Sequence, residues 1–229
     1  KFFLKKMKLR VMKLFFSCFL AVFISTHILS AKDISAEYSI KTKGVSIGGL
    51  TWHISVSENE YETSVNLKNK GVFSKFYKFS GNYTATGKIL KNKFFPTRYV
   101  QKWETNNKKR YVELSFKGNM VESLAIVPKE KEYARIQYKK LENYKDPISS
   151  FINILLDGGG SLTIDGRRAY LLSPDKESNK ITIRNYMNIW ADHKRNDLEY
   201  LEFQKGKKDI LPEKIIIRFK GSLFYLIKI

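Results

Sequence analysis

Residues 146–156, Asp-Pro-Ile-Ser-Ser-Phe-Ile-Asn-Ile-Leu-Leu, form the one stretch of this 229-residue chain with a strong helical pattern, and the sequence on both sides is patterned as β-strand. Asp146 can accept hydrogen bonds at a helix start, Pro147 suits the first turn, and Ile148, Phe151, Ile152, Leu155 and Leu156 recur at helical spacing. Asp157-Gly158-Gly159-Gly160 then stops the helix. So short a helix with one apolar face needs an apolar partner, and strands are all the chain offers. Burying those side chains is worth on the order of 10 kcal/mol before entropy, comparable with the net stability of a domain. The helix is therefore expected to be structural, with the sheet wrapped around it.

Elsewhere the period is two. Leu50, Trp52, Ile54 and Val56 alternate with Thr51, His53 and Ser55, residues 57–60 are polar, and Tyr61, Thr63, Val65 and Leu67 resume the pattern, which predicts a hairpin with one buried face. Further strands are expected over residues 79–85, 99–105, 111–117 and 121–127, and after the helix over 162–164, 167–172, 181–189, 198–204, 213–220 and 222–229. Asp165-Gly166 is the strongest turn signal, and Gly118-Asn119 is another. Residues 129–145 read as a charged connection. About ten to twelve strands in one sheet cannot stay flat. The expected fold is mainly β, a large curled antiparallel sheet or (half-)barrel with one short helix packed on or in it.

The start of the chain has a different character. Residues 1–13 carry six basic side chains and no acidic one, and residues 14–29 are a nearly unbroken apolar run ending in Ser30-Ala31. That order predicts a signal peptide over residues 1–31 and a single β-rich exported domain over 32–229, placed in the periplasm, with cleavage after Ala36 as the alternative. Cys18, the only cysteine, falls inside the apolar run, so the exported domain has no disulfide, thiol nucleophile or cysteine-ligated metal.

The net charge of +20 drops by six without the leader, leaving a basic domain suited to anionic lipid headgroups or other polyanions. Lysine outnumbers arginine 33 to 9 and is scattered along the strands. Peripheral membrane contact fits this pattern, and nucleic acid is not an expected partner.

Catalytic parts are scarce. His53 and His193 stand far apart without ligand-spaced neighbours, and the chain has no nucleophile elbow, zinc-protease helix or phosphate-binding loop. Asp146 and Asp165 each have a structural task, helix cap and turn, which Pro147 and Gly166 share. Arg167 and Arg168 are candidates for an anion clamp, because guanidinium forks match carboxylate or phosphate. No enzyme, metal or cofactor is expected.

Aromatic residues are abundant, among them Trp52, Phe73, Phe76, Tyr77, Phe79, Phe94, Phe95, Tyr99 and Trp103. Core packing is their ordinary fate. A curled sheet with a helix at its mouth can also leave a cavity, for which Trp52, Phe79, Tyr99, Trp103, Phe151 and Leu155 are the candidate lining residues.

Asn69-Lys70-Gly71-Val72, Gly87 with Phe95-Pro96-Thr97-Arg98-Tyr99, Asp146-Pro147-Ile148-Ser149-Ser150 and Asp165-Gly166-Arg167-Arg168 occur in an order that resembles an exported bacterial family known as domain of unknown function 3108. The resemblance runs from about Tyr38 to Ile229, and Ala169-Tyr170 departs from it where another basic or polar residue often stands. It implies a β-rich envelope protein of Gram-negative bacteria with no established activity. A weaker analogy, at the level of fold alone, is to half-barrels with a helical lid that carry lipoproteins across the periplasm. Together these readings lead to an expected monomeric, non-enzymatic carrier of a lipid or lipoprotein. The alternative is an assembly factor that binds another envelope protein through a sheet edge or the basic face.

Overall fold

The computed structural model describes residues 32–71, 74, 78–175, 177–190, 197–206 and 210–229. The predicted signal peptide with Cys18, the aromatic residues Phe73, Phe76 and Tyr77, and His193 lie outside them. Two antiparallel meanders flank one helix. The first comprises β1 (Lys32–Thr42), β2 (Val45–Ser57), β3 (Glu60–Asn69), β4 (Phe79–Leu90), β5 (Lys93–Thr105), β6 (Lys109–Lys117) and β7 (Met120–Val127). After α1 (Pro147–Asp157) come β8 (Ser161–Ile164), β9 (Arg168–Pro174), β10 (Lys180–Asn188), β11 (Leu198–Gln204), β12 (Lys214–Phe219) and β13 (Ser222–Lys228). Some strands are longer than their alternation suggests. β4 and β5 meet at Lys91-Asn92, where both residues take positive φ, 50° and 60°, so a tight turn forms without glycine and escapes a glycine-based search.

All thirteen strands belong to one sheet, in the order β7-β6-β5-β4-β3-β2-β1-β13-β12-β11-β10-β9-β8. The two meanders join where β1 pairs with β13, Tyr38 opposite Lys228 and Ile40 opposite Leu226. Inward-facing rows run across the first meander. One is Ile54, Thr63, Ala85, Tyr99 and Leu114; the next is Trp52, Val65, Tyr83, Gln101 and Val112. Such rows put the alternating apolar positions of every strand on one concave face.

The sheet does not close by a strand ladder, since β7 and β8 are its two margins. The connection between them spans the seam instead. Met120 bridges Glu142 and Asn143 N donates to Asn119 O at 2.7 Å on the β7 side. Three residues on, Lys145 N donates to Leu162 O and accepts at its own carbonyl from Ile164 N, both at 2.9 Å, on the β8 side. The β8–β9 turn completes the seam. Gly166, at φ +88°, lies so close to Val112 and Leu124 that a Cβ there would overlap Val112 Cγ1. The expected curled sheet is present, with its margins joined by turn packing and one extended segment.

That segment delivers α1 into the concavity. Asp146 Oδ1 accepts from Ile148 N at 2.9 Å and Ser149 N at 3.0 Å, and Gly158 ends the helix in the left-handed region at φ 69°. Burial is not confined to the expected stripe. Ser149, Ser150, Asn153 and Ile154 are buried as well, whereas Leu156 is 46% exposed. Polar residues are tolerated inside because each finds a partner: Ser149 Oγ meets Tyr61 Oη at 2.6 Å, and Ser150 Oγ accepts from Ser161 and Thr163 hydroxyls. Asn153 bonds the backbone of Phe94. The helix is a plug held on several sides, so its burial extends beyond the one apolar face its spacing predicts.

Candidate functional site

α1 fills only part of the concavity. Beyond its N-terminal half the inner face encloses an open groove of about 540 Å³. Pro147, Ile148 and Phe151 form the floor. One wall comes from the first meander through Trp52, Val65, Leu67, Phe79, Tyr83 and Tyr99; the other comes from the second through Leu201, Ile215, Ile217, Phe219 and Phe224. Trp52 stacks on Phe151 with ring centroids 5.8 Å apart, and Phe203 meets the same Phe151 ring edge-on at 5.9 Å. These contacts fix the floor at the junction of helix and sheet. Gly81 leaves room for the ring of Tyr83, which lies across it.

One corner of the groove is polar, made by Gln101, Asp165 and Arg168. Asp165 does the turn work expected of it, accepting at Oδ1 from Arg167 N at 2.9 Å and Arg168 N at 2.8 Å. Its Oδ2 holds the Arg168 guanidinium through Nε and a terminal nitrogen, both at 2.8 Å, and Arg168 donates onward to Tyr186 Oη at 3.2 Å. Burial works against the positive charge of Arg168, but the Asp165 carboxylate overcomes it and keeps the guanidinium ionised. Burial pushes the Tyr83 phenol up to about 12, with a further contribution from Asp165, and burial likewise raises Tyr99. Both phenols are neutral at physiological pH, so the corner is a balanced ion pair beside neutral hydrogen-bonding groups.

Of the residues picked from sequence to line a cavity, Trp52, Phe79, Tyr99 and Phe151 meet in this groove. Trp103 and Leu155 do not. Trp103 lies in a separate rim recess with Gly81 and Leu67, its ring covered by the Arg110 guanidinium 5.8 Å from the centroid. Leu155 lies about one turn past Phe151 and is packed away in the core at 8% exposure. The anion clamp also needs correction. Neighbouring side chains at a strand start diverge, so Arg167 pairs with Glu130, to which Arg110 also comes within 3.9 Å, while Arg168 pairs with Asp165. Each arginine has its own carboxylate, and the two do not converge on a shared anion. Asp146 is fully buried, and burial raises its carboxyl to about 6. His53 lies on the outer surface, 3.8 Å from Asp33.

The second wall carries no local signal of its place in the groove. Ile215, Ile217 and Phe219 carry a period-two signal, but nothing in the one-dimensional chain places them in one groove with Trp52 and Val65. That grouping comes from the β1–β13 junction.

Among the described residues, no three His, Cys, Asp or Glu side chains are grouped to hold a metal ion, and no helix is long and apolar enough to cross a membrane. Neither the curated proteins nor the solved structures include a match to the chain. The family described as protein of unknown function (DUF3108) does match, over residues 37–188, a span that runs from within β1 to the end of β10 and includes the Asp146 cap and the Asp165 turn, and the chain belongs to that family.

Proposed function

We propose that this protein is a non-enzymatic cell-envelope carrier that holds an apolar chain, such as the acyl chain of a lipid or lipidated protein, in the groove above α1. One observation carries the reading: an open, largely apolar groove of about 540 Å³ inside the curled sheet, walled by both meanders. That size lies within the roughly 300–1,000 Å³ usual for small-ligand sites. The polar corner at Arg168 and Asp165 is close to electrically neutral and suits an ester, amide or hydroxyl of such a ligand better than a bare anion. The basic surface and the leader-like first residues are consistent with work at the envelope. An assembly role through a sheet edge is less well supported, because the Tyr138–Lys140 turn packs against β7 and Lys145 bridges β8.

Native mass spectrometry and lipid extraction on protein recovered from its own cells test the proposal, together with the groove-filling variants Leu67→Trp and Ile217→Trp. Co-purified lipid that is lost in both variants while the fold persists is the expected result. Protein that is repeatedly empty and binds no fluorescent fatty acid would overturn it.

A further inference from the structure

In an antiparallel meander alternate connections lie at the same end of the sheet. Leu67, Phe79, Phe219 and Phe224 line the groove beside the β3–β4 and β12–β13 connections, so these mark its mouth. The β1–β2, β5–β6, β8–β9 and β10–β11 connections lie at the same end. The charged residues described in the β1–β2, β3–β4, β5–β6 and β12–β13 connections are Lys43, Lys70, Lys78, Lys108 and Lys220, all exposed; the β8–β9 turn adds Asp165 and Arg167, each ion-paired, and the described part of the β10–β11 connection adds Asp197. Lys220 pairs with Asp197 at 3.7 Å; the other four lysines have no acidic partner within ion-pair distance among the described residues. The segment leaving β7 alternates Lys129, Glu130, Lys131 and Glu132 and adds no net charge. The opposite end is different. Its β2–β3, β4–β5, β9–β10 and β11–β12 connections show Glu58, Lys91, Asp175, Glu177, Lys205 and Glu213 among the described residues.

We propose that the lysine-ringed end is a docking surface for an anionic phospholipid bilayer, met with the groove mouth turned toward the lipid. Lysines on four separate connections form a rim rather than a track, which one plane of negative charge can engage together. They are also the right kind of cation. Lysine is a hydrated point charge suited to diffuse attraction by a charged surface, whereas a discrete phosphate site favours the arginine fork. The inference rests on reading the groove as an acyl-chain site, because a mouth pressed to the bilayer lets a chain enter without crossing water.

The test is co-sedimentation of the full chain with vesicles of equal parts phosphatidylglycerol and phosphatidylcholine, and with phosphatidylcholine alone. Two fourfold variants are compared: Lys43, Lys70, Lys78 and Lys108 to Gln at the mouth, and Lys88, Lys91, Lys117 and Lys205 to Gln at exposed sites toward the other end. Both remove the same charge from the same chain, so any contribution of residues 1–31 cancels. Wild-type partitioning should depend on phosphatidylglycerol and weaken with salt, and the mouth variant should lose about fivefold per lysine while the control loses far less. Equal loss from both sets overturns the proposal, as does wild-type partitioning indifferent to phosphatidylglycerol. Retention on heparin without vesicle binding overturns it in favour of another polyanion. Fluorescent fatty-acid binding in detergent-free solution separates this proposal from the groove reading: the mouth variant keeps it, whereas Leu67→Trp loses it and still sediments with vesicles.

Discussion

Asn153 pairs with the backbone of Phe94 as a neighbouring strand would: Phe94 N donates to Oδ1 at 2.8 Å, and Nδ2 donates to Phe94 O at 2.9 Å. The opening exists because β6 pairs with β5 only from Arg98 onward, leaving that side of Phe94 without a strand partner. A side-chain amide on α1 takes the vacant place and ties the helix to the sheet. Asn153→Leu strands a buried backbone donor and acceptor and should cost about 2–4 kcal/mol in denaturant unfolding. Asn153→Asp keeps an acceptor but loses the donor to Phe94 O, so it should be destabilised more at neutral than at acid pH. Equal stability of Asn153→Leu and wild type would remove Asn153 from this role.

Asp146 has a pH signature with a definite sign. Burial raises its carboxyl from 3.8 to about 6 in the folded protein, so the folded state holds this proton more tightly than the unfolded chain. Stability from this group is therefore fully present below about pH 4 and declines as pH rises through about 6, by about 3 kcal/mol in all. Asp146→Asn keeps the Oδ1 acceptor of the cap and removes the titration. The difference in unfolding free energy between variant and wild type should be small at pH 4 and should favour the variant above pH 7. A difference that does not change with pH would contradict the assignment. Asp146→Ala lacks the cap and should lose about 1 kcal/mol or more even at low pH.

Gly166 and Gly118 separate two reasons for glycine. Both take positive φ, +88° and +60°, but a Cβ at Gly118 meets open space, whereas one at Gly166 overlaps Val112 Cγ1. Gly118→Ala should cost only the left-handed backbone strain, about 1–2 kcal/mol. Gly166→Ala adds overpacking at the seam and should cost roughly 3 kcal/mol or more. Thermal melting of the two variants side by side reads the difference, and equal losses would mean that the seam relaxes freely.

Removing Arg168 leaves Asp165 buried without its main counter-charge. Arg168→Gln should destabilise by about 3 kcal/mol, while the double change to Asp165→Asn with Arg168→Gln should recover part of that loss. A double variant as unstable as the sum of the single changes would show that the pair is not coupled.

If the groove accepts an acyl chain, affinity should depend on chain length. Each methylene added inside it is worth about 0.8 kcal/mol, or about fourfold in Kd, until the groove is full. Titration of a fatty-acid series by tryptophan fluorescence, with Trp52 on the groove wall beside Phe151, checks this. Affinity independent of length would place binding outside the groove.

Much of the molecule can be read locally. The period-two alternation from Leu50 to Leu67 determines which side chains face inward, because successive strand residues point to opposite faces. The Asp146 cap, the Gly158 stop and the Asp165-Gly166 turn act within a few residues of themselves, so their geometry is encoded where they stand. Trp52, Phe79 and Tyr99 line the groove from inward strand positions and Phe151 from the apolar stripe of the helix, both local patterns. What the sequence could not settle depends on partners far along the chain. Glu130 meeting Arg167, Asn153 meeting Phe94, and Ile217 sharing the groove with Val65 follow from two long-range events: β13 pairing with β1, and residues 142–145 spanning the seam. Periodicity specifies a face but not what lies opposite it. The tertiary structure decides how far the sheet curls and how much of its interior one short helix leaves unfilled.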